Sequence, residues 1–272
     1  MIKTQKERVD VLLVERGLCE TREKAKRAIM AGTVYTNELR LEKPGEKIAI
    51  DAPLQVKGNE LRYVSRGGLK LEKALQYFEI DVQNKLMLDI GASTGGFTDC
   101  ALQNGARHCY ALDVGYNQLA WNIRQDERVT VMERTNFRYV TAADLDQGLP
   151  EFATIDVSFI SLKLILPVLK TLLVPGSDVI ALVKPQFEAG KDKVGKKGVV
   201  RDAKVHIHVL ETISNFSQQT GFTLRNASYS PITGGEGNIE FLFHLVATDE
   251  NETTFSEEQL KQTVMDAHSQ LT

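Results

Sequence analysis

The chain has 272 residues, 42% hydrophobic and 25% charged, so it is long enough for two folded domains with buried cores. Its net charge of −3 excludes a protein that is basic throughout. Three cysteines lack metal-ligand spacing, and no apolar stretch suits an export signal or a membrane span. These features predict a cytoplasmic protein without a bound metal and without membrane contact.

Charge is unevenly distributed along the chain. Residues 1–60 contain 12 Lys and Arg against 10 Asp and Glu, whereas the remainder contains 21 against 26. The N-terminal part is therefore the region in which we expect contact with a polyanion. We divide the chain into a domain over residues 5–60 and a larger domain over 61–272.

The first domain is predicted to be a small α+β unit. Apolar residues at helical spacing predict two helices ended by glycines, and two short β-branched runs predict strands. In chain order these are a helix from about residue 9 to Gly17, a helix over 22–31, and strands over 33–37 and 47–50. Residues 53–59 are predicted to connect this unit to the second domain.

The first domain contains, in this order, Arg8-x-Asp10-x-x-Leu13, Gly17, Thr21-Arg22, Ala25, Ile29, Gly32, Val34 and Asn37. This order resembles the αL RNA-binding motif found in a small-subunit ribosomal protein, pseudouridine synthases and tyrosyl-tRNA synthetases. It implies that basic side chains contact RNA phosphates, with recognition of shape more than of sequence. The implied contacts are Arg8, Arg22, Lys26 and Arg27. A solvated basic helix face is the alternative interpretation.

From residue 61 onward, predicted strands and helices alternate. Such alternation predicts an α/β fold with a doubly wound sheet that binds ligands at the carboxyl ends of its strands. The predicted strands are 86–90, 108–113, 129–132, 153–157, 178–184, 222–228 and 239–247. The predicted helices are one that ends near Phe78, then 97–104, 117–123, 161–171, 203–220 and 256–270.

Residues 86–97 form the most informative stretch, in which apolar residues lead into Asp89 and three glycines precede a helix-like run. Glycines at such a turn let the backbone approach a ligand, and the helix offers free N–H groups. The spacing is neither that of a P-loop nor that of the dinucleotide fingerprint. An ordinary strand–turn–helix crossover is the alternative.

This stretch resembles motif I of S-adenosylmethionine (SAM)-dependent methyltransferases, in the form found in FtsJ-type RNA 2′-O-methyltransferases. The resemblance implies a Rossmann-like, seven-stranded domain whose last strand is antiparallel, and it places Asp89 near the methionine end of SAM. The residues implied in cofactor binding here are Asp89, Gly91, Ala92, Ser93, Thr94, Gly95 and Gly96.

Two further positions follow predicted strands. Asp113 ends the second strand, about twenty residues past the glycine-rich loop, where a carboxylate accepts hydrogen bonds from ribose hydroxyls in nucleotide-binding sheets. A turn-forming aspartate is the alternative. Asn136 lies where related enzymes place an adenine contact, although many of them carry Asp there.

Four charged residues stand at the ends of otherwise apolar elements. They are Lys70, Asp156, Lys184 and Glu240. Charges in such strands are rarely buried without partners, so a plain buried ion-pair network is one interpretation. Their order resembles the Lys-Asp-Lys-Glu tetrad of FtsJ-type 2′-O-methyltransferases, which implies that Lys184 lies nearest the ribose 2′-OH and that the carboxylates orient the lysines.

Basic residues also flank the predicted site. The segment 191–198 is rich in Gly and Lys and predicts a phosphate clamp, with an idle surface loop as the alternative. The positions predicted to contact RNA around the second domain are Arg66, Lys191, Lys193, Lys196 and Lys197.

Four further segments stand out in the sequence: Ser65-Arg-Gly-Gly-Leu-Lys70, Asp113-Val-Gly-Tyr-Asn-Gln-Leu-Ala-Trp121, Glu133-Arg-Thr-Asn136 and Lys184-Pro-Gln-Phe-Glu188. Together with the glycine-rich loop and the N-terminal motif, they resemble the TlyA family over about residues 5–247. The resemblance implies SAM-dependent 2′-O-methylation of cytidine in ribosomal RNA. A non-catalytic RNA-binding or ribosome-assembly factor is one alternative. A membrane-active hemolysin, suggested by the label often given to this family, is another. The oligomeric state is not predicted.

Overall fold

The computed structural model describes residues 5–30, 32–37, 39–57, 62–248 and 255–271. The chain folds into two compact units, Met1–Arg62 and Tyr63–Thr272. The position predicted for the domain boundary, between residues 60 and 61, lies outside the described residues, as does residue 31 at the end of the predicted second helix.

The described residues of the first unit form two short helices and five short strands. They are β1 (Lys6–Arg8), α1 (Val9–Glu15), α2 (Arg22–Met30), β2 (Val34–Thr36), β3 (Leu39–Arg40), β4 (Lys47–Ala49) and β5 (Gln55–Val56). β1 pairs with β4, and β2 pairs with both β3 and β5, all antiparallel. Three of these strands, β1, β3 and β5, were not predicted, and β5 lies within the segment 53–59 that was predicted to be a connection.

Apolar side chains of both helices form the core of this unit. Val9 and Leu13 of α1 and Ala25 of α2 are completely buried, and Ile29 is nearly so. They pack together with Val34 of β2 in one cluster. The helical spacing that predicted these two helices therefore also identified the face that packs inward.

The second unit is built on one seven-stranded sheet. Its strands are β6 (Leu86–Ile90), β7 (His108–Leu112), β8 (Val129–Met132), β9 (Phe152–Ile155), β10 (Asp178–Val183), β11 (Phe222–Tyr229) and β12 (Phe241–Ala247). Their spatial order is β11-β12-β10-β9-β6-β7-β8. β12 runs antiparallel to both of its neighbours, which confirms the predicted direction of the last strand. The seven-stranded α/β fold is likewise confirmed.

Helices cover both faces of the sheet. They are α3 (Gly67–Tyr77), α4 (Gly96–Gln103), α5 (Trp121–Arg124), α6 (Leu166–Leu172), α7 (Pro185–Glu188), α8 (Ala203–Gln219) and α9 (Glu257–Leu271). α3 and α4 contribute to one hydrophobic cluster, and α6, α8 and α9 contribute to another. The layers match a doubly wound arrangement.

Two predicted helices differ in the structure. The helix predicted over 117–123 is reduced to α5, because Asn117 has a left-handed backbone with φ of +56°. The helix predicted over 161–171 begins as a separate 3₁₀ turn, Leu162–Leu164, before α6 starts with Pro167 in its first turn. Proline suits that first turn because it lacks an N–H to donate.

The sheet places three of the four predicted charged positions at one edge. Asp156 and Lys184 each follow directly on a parallel strand, β9 and β10. Glu240 directly precedes the antiparallel β12, so it lies at the same edge, opposite the end of β10. This edge is formed by the carboxyl ends of the parallel strands, where sheets of this type bind ligands. Among the described helices, none is both long and apolar enough to cross a membrane.

Candidate active site

The glycine-rich loop between β6 and α4 lies against the end of β9. Gly91 has a φ of +86°, and a Cβ atom there would come within 2.5 Å of the carbonyl oxygen of Asp156. No side chain fits at this position, so the loop can pass close to the neighbouring strand only with glycine. The loop ends at α4, whose first N–H groups have no acceptor within the helix.

This loop borders a cleft of about 460 Å³. Such a volume lies within the range of small-molecule sites, roughly 300–1,000 Å³. The cleft is lined by backbone of the loop and by all four charged residues of the predicted tetrad. Its lining consists of Ser65, Arg66, Gly67, Lys70, Gly91, Ala92, Ser93, Thr94, Gly96, Phe97, Asp156, Ser158, Lys184, Ile232, Thr233, Gly234, Gly235 and Glu240.

Lys70, in the first turns of α3, contacts two carboxylates. Its Nζ lies 2.6 Å from Glu240 Oε2 and 3.5 Å from Asp156 Oδ2. Burial of Lys70 opposes its charge, but the combined attraction of the two carboxylates outweighs that cost and raises the pKa of Lys70 above its ordinary value. Lys70 therefore carries a positive charge at neutral pH.

Lys184 shares one of these carboxylates. Its Nζ lies 2.5 Å from Asp156 Oδ1 and donates a hydrogen bond of 3.3 Å to Ser158 Oγ. Asp156 thus bridges the two lysines with its two oxygens. Lys184 and Glu240 are 6% and 3% exposed, so the charges lie at the floor of the cleft, where screening by water is weak.

A glycine segment that the sequence analysis did not single out makes room for Glu240. A Cβ atom at Gly234 would overlap Glu240 Oε1, so only glycine lets the carboxylate occupy its place. Gly234 and Gly235 both line the cleft, as does Ser158. The run of three glycines between 234 and 237 was the available signal for the glycine positions. Ser158 had none, because its contact depends on the packing of β9 against β10.

Comparison with known proteins identifies the family to which this chain belongs. The model of the FtsJ-like methyltransferase family matches residues 63–247, and that of the S4 domain matches residues 7–51. The Mycobacterium tuberculosis protein named 16S/23S rRNA (cytidine-2′-O)-methyltransferase TlyA is 42% identical over 239 residues, which cover 88% of this chain and 89% of that protein. The chain belongs to the TlyA family of FtsJ-like methyltransferases.

Other relatives of this FtsJ-like methyltransferase have different names. A Bacillus subtilis protein named "Putative rRNA methyltransferase YqxC" is 68% identical, and the match covers 98% of this chain and 96% of that protein. A solved structure described as "Putative hemolysin from Streptococcus thermophilus" has a TM-score of 0.79 and 55% identity, covering 98% of this chain and 97% of that one. The same fold thus occurs under both a methyltransferase and a hemolysin name.

The methyl donor of this methyltransferase is SAM. The cleft fits such a group: it combines glycine-rich backbone and a helix N-terminus with a buried, charged floor. The residues suited to hold the cofactor are those of the loop from Gly91 to Gly96. In the described part of the chain, no group of three or more His, Cys, Asp or Glu could hold a metal ion.

Asp89, which the resemblance placed near the methionine end of SAM, lies beneath the glycine-rich loop. It is completely buried and does not line the cleft. Its carboxylate accepts hydrogen bonds from Thr98 Oγ1 at 2.7 Å and Thr154 Oγ1 at 2.8 Å, and from the Thr98 backbone N–H at 3.1 Å. Burial raises the pKa of Asp89 to about 6 despite these bonds. Asp89 therefore joins α4 to β6 and β9 beneath the loop.

Asp113 and Asn136 lie at the ends of the neighbouring strands, outside the lining of the cleft. Asp113 accepts hydrogen bonds from the backbone N–H groups of Ser93, at 2.8 Å, and Gly115, at 2.7 Å. It is thereby connected to the glycine-rich loop. Asn136 accepts a hydrogen bond from the Arg138 N–H and caps the 3₁₀ turn that follows.

In the S4 unit, two of the predicted phosphate contacts hold a buried carboxylate. Arg8 Nε and Arg22 Nη2 lie 2.9 Å and 3.0 Å from the oxygens of Asp10, which is completely buried. Hydrogen bonds from Arg8 dominate in lowering the pKa of Asp10 to about 2. Both arginine side chains remain partly exposed. Each can therefore pair with Asp10 and still contact an anion from solvent.

The other predicted RNA contacts are on the surface. Lys26 pairs with Glu23 at 2.7 Å, and Arg27 is exposed. Arg66 is exposed on the rim of the cleft. The four lysines of segment 191–198 are exposed and occupy two 3₁₀ turns, Lys191–Lys193 and Lys196–Gly198. Asn238 joins the end of this segment to the cleft rim, donating to the carbonyl oxygens of Gly198 and Gly235.

Proposed function

We propose that this protein transfers a methyl group from SAM to the ribose 2′-hydroxyl of a cytidine in ribosomal RNA. The observation that carries the proposal is the convergence of Lys70, Asp156, Lys184 and Glu240 in the same cleft as the glycine-rich loop. The choice of cytidine in ribosomal RNA is supported by the printed name of the Mycobacterium tuberculosis relative.

A ribose hydroxyl is a poor nucleophile until its proton is removed, and the cleft contains groups that can do this. When bound, SAM supplies a methyl group on a positively charged sulfur, which makes the methyl carbon electrophilic. The oxygen bonds to the methyl carbon as the carbon–sulfur bond breaks and S-adenosylhomocysteine leaves, and the uncharged form of Lys184 Nζ takes the 2′-OH proton. Asp156, 2.5 Å from that nitrogen, fixes its position and stabilises the resulting ammonium.

The two lysines have different roles in this proposal. Within the part of the chain that the structure describes, Lys70 contacts two carboxylates and Lys184 contacts one. The raised pKa of Lys70 keeps it positively charged, so it stabilises negative charge on the ribose oxygen. Lys184 takes up the proton, and Glu240 holds Lys70 in place.

RNA binding is assigned to the basic groups outside the floor of the cleft. Arg66 and the lysines of segment 191–198 are exposed and are joined to the rim, which suits phosphate contacts beside the reacting ribose. The S4 domain contributes Arg8, Arg22, Lys26 and Arg27 as a second set of phosphate contacts. A ribosomal substrate places the proposed reaction in the cytoplasm.

The proposal is tested by nucleoside mass spectrometry of unmodified ribosomal subunits incubated with SAM and the protein. We expect new 2′-O-methylcytidine with the parent protein and none with the Lys184→Ala variant. Lys85→Ala is the matched control, because Lys85 also pairs with a carboxylate, Asp178 at 3.0 Å, but precedes β6 at the opposite edge of the sheet. This control is expected to retain methylation.

The other outcomes distinguish the remaining interpretations. Absence of a new methyl group on both subunits and on free ribosomal RNA would overturn the catalytic proposal. If the protein transfers no methyl group but still binds S-adenosylhomocysteine, a non-catalytic RNA-binding factor would be favoured. Methylation at a base position or on another nucleoside would overturn the assignment to cytidine 2′-OH while retaining methyl transfer.

A further inference from the structure

The segment that follows β7 contains several backbone N–H groups that no regular element pairs. Residues 113–119 turn sharply, with Asn117 in a left-handed conformation at φ of +56°. Asp113 supports the start of this segment by accepting from Gly115 N–H. Because Asp113 also accepts from Ser93 N–H, the shape of this segment is coupled to the glycine-rich loop.

Glu133, one residue past β8, supports the other end of the segment. Its Oε2 accepts a hydrogen bond of 2.8 Å from the N–H of Asn117. Its Oε1 accepts bonds of 3.0 Å and 3.3 Å from the N–H groups of Gln118 and Leu119. One carboxylate thus satisfies three consecutive backbone donors with its two oxygens, whereas the amide of a glutamine offers only one acceptor oxygen.

A guanidinium group completes this arrangement. Arg124, the last residue of α5, places Nη2 2.5 Å from Glu133 Oε1, and the Glu133 side chain is only 9% exposed. Burial alone would raise the pKa of Glu133, but the backbone N–H groups and Arg124 outweigh it and lower the pKa to about 2. The carboxylate is therefore ionised at neutral pH.

The support given by Glu133 extends into the glycine-rich loop. Leu119 is buried directly beneath Gly95, where an added Cβ would lie 2.9 Å from Leu119 Cδ1. The next residue, Ala120, donates its N–H to the carbonyl oxygen of Thr94 at 3.0 Å. Displacement of residues 117–119 would therefore move the loop that borders the cleft.

We propose that Glu133 is a positioning residue for the cofactor site, which holds residues 117–119 and, through Leu119 and Ala120, the glycine-rich loop in the shape that binds SAM. It does not line the cleft and acts through the backbone that it supports. This inference rests on the proposed function only in its choice of cofactor, and it requires no particular RNA substrate.

The test is calorimetric titration of S-adenosylhomocysteine into the full-length parent protein and its Glu133→Gln variant. Replacing one acceptor oxygen with an NH₂ group leaves backbone donors unpaired and turns a donor toward them. We expect the dissociation constant to rise roughly 10- to 100-fold. In methylation assays, we expect the KM for SAM to rise while kcat at saturating SAM and the KM for RNA stay near those of the parent.

Glu151→Gln is the matched control. Glu151 also pairs with an arginine, Arg107 at 2.8 Å, and accepts a backbone bond, from Leu86 N–H at 3.1 Å, but it precedes β9 at the opposite edge of the sheet. We expect this variant to bind S-adenosylhomocysteine as the parent does. Equal loss of binding in both variants would overturn the inference, because it would show a general effect on the fold.

Two further results would also overturn the inference. One is unchanged binding in Glu133→Gln, and the other is a fall in kcat without a rise in the KM for SAM. If Glu133→Gln does not fold, the same titration with Glu133→Asp decides, since the shorter carboxylate keeps the charge but cannot reach all three donors. Failure of the parent to methylate ribosomal RNA would overturn the proposed function and leave this binding test intact.

Discussion

The two edges of the seven-stranded sheet carry ion pairs of similar composition in different surroundings. At the amino edge, Asp178 lies 3.0 Å from Lys85 Nζ and 2.9 Å from His244 Nε2. At the carboxyl edge, Asp156 lies between Lys70 and Lys184. The distances are similar, but the Lys85 side chain is 30% exposed and the Lys184 side chain only 8%.

The difference shows that a lysine–carboxylate pair by itself does not mark a site. The pair of Lys85 and Asp178 connects the residue before β6 to the start of β10, so it stabilises the packing of these strands. At the carboxyl edge, two lysines share one carboxylate and line a cleft together with the glycine-rich loop. The candidate active site differs from a structural ion pair because several charged side chains line one cleft and their partners hold them in place.

The largest expected effect is on kcat, and it is measured by replacing one lysine at each edge of the sheet. Lys184→Ala removes the group that accepts the proton, and we expect kcat to fall about a thousandfold. Lys85→Ala is expected to keep kcat and to lose about 1 kcal/mol or less of unfolding free energy, as partly exposed pairs do. Single-turnover methylation and denaturant unfolding measure the two quantities. A similar loss of kcat in both variants would remove the distinction between the edges.

A smaller effect is expected from Glu240→Gln. Lys70 keeps Asp156 as a partner but loses the carboxylate at 2.6 Å, so its positive charge is less well placed and less stabilised. We expect kcat to fall roughly 10- to 100-fold, with little change in the KM for RNA. Steady-state kinetics with varied RNA checks this expectation. Unchanged kcat would show that Glu240 has a structural role only.

The exposed lysines of segment 191–198 are expected to affect RNA binding and not the chemical step. Replacing Lys191, Lys193, Lys196 and Lys197 together by Gln is expected to raise the KM for ribosomal RNA by about tenfold or more at moderate salt. We also expect a weaker dependence of KM on salt concentration, with kcat unchanged. The control is Lys261→Gln in α9, which removes a half-buried lysine outside the predicted RNA contacts. An unchanged KM in the quadruple variant would favour an idle surface loop.

The smallest effects concern stability against pH, and they have opposite signs at the two edges. Burial opposes ionisation of Asp178, but hydrogen bonds from His244 and Lys85 outweigh it and lower its pKa. Its contribution is therefore present above the ordinary aspartate pKa and is lost as pH falls through the lowered value. Lys70 has a raised pKa, so its contribution is present below the ordinary lysine pKa and is lost as pH rises through the raised value.

Unfolding free energies measured across pH test this pair of expectations. Asp178→Asn should reduce the loss of stability in acid, whereas Lys70→Met should reduce the loss in alkali. Each variant serves as the control for the other, because each removes one titrating group from a different edge. If the unfolding free energies of the two variants depended on pH in the same way in acid and in alkali, the opposite signs assigned to Asp178 and Lys70 would be wrong.

Much of the second unit followed from local patterns. Apolar, β-branched runs that alternate with helical patterns predicted all seven strands, and strand ends marked by a lone charge identified Asp156 and Lys184. These signals worked because parallel strands buried on both faces are almost entirely apolar, so a charged residue at their end is conspicuous. The differences of one or two residues at strand ends, as at Lys184 and Glu240, did not move any residue to another edge.

The first unit was less predictable at the level of strands and roles. Its strands are two or three residues long and depend on partners distant in the chain, as β1 does on β4. Arg8 and Arg22 were recognised as basic, but their shared contact with the buried Asp10 became apparent only when α1 and α2 packed together.

The sequence by itself determined the fold class, the glycine-rich turn and the identity of the four charged residues, because each depends on composition over a few consecutive positions. Tertiary structure alone decided which groups meet: Glu240 with Lys70, 170 residues apart, and Glu133 with the backbone of residues 117–119. It also buried Asp89 beneath the loop. Such contacts arise from the packing of whole strands and helices, and local residue patterns contain no information about them.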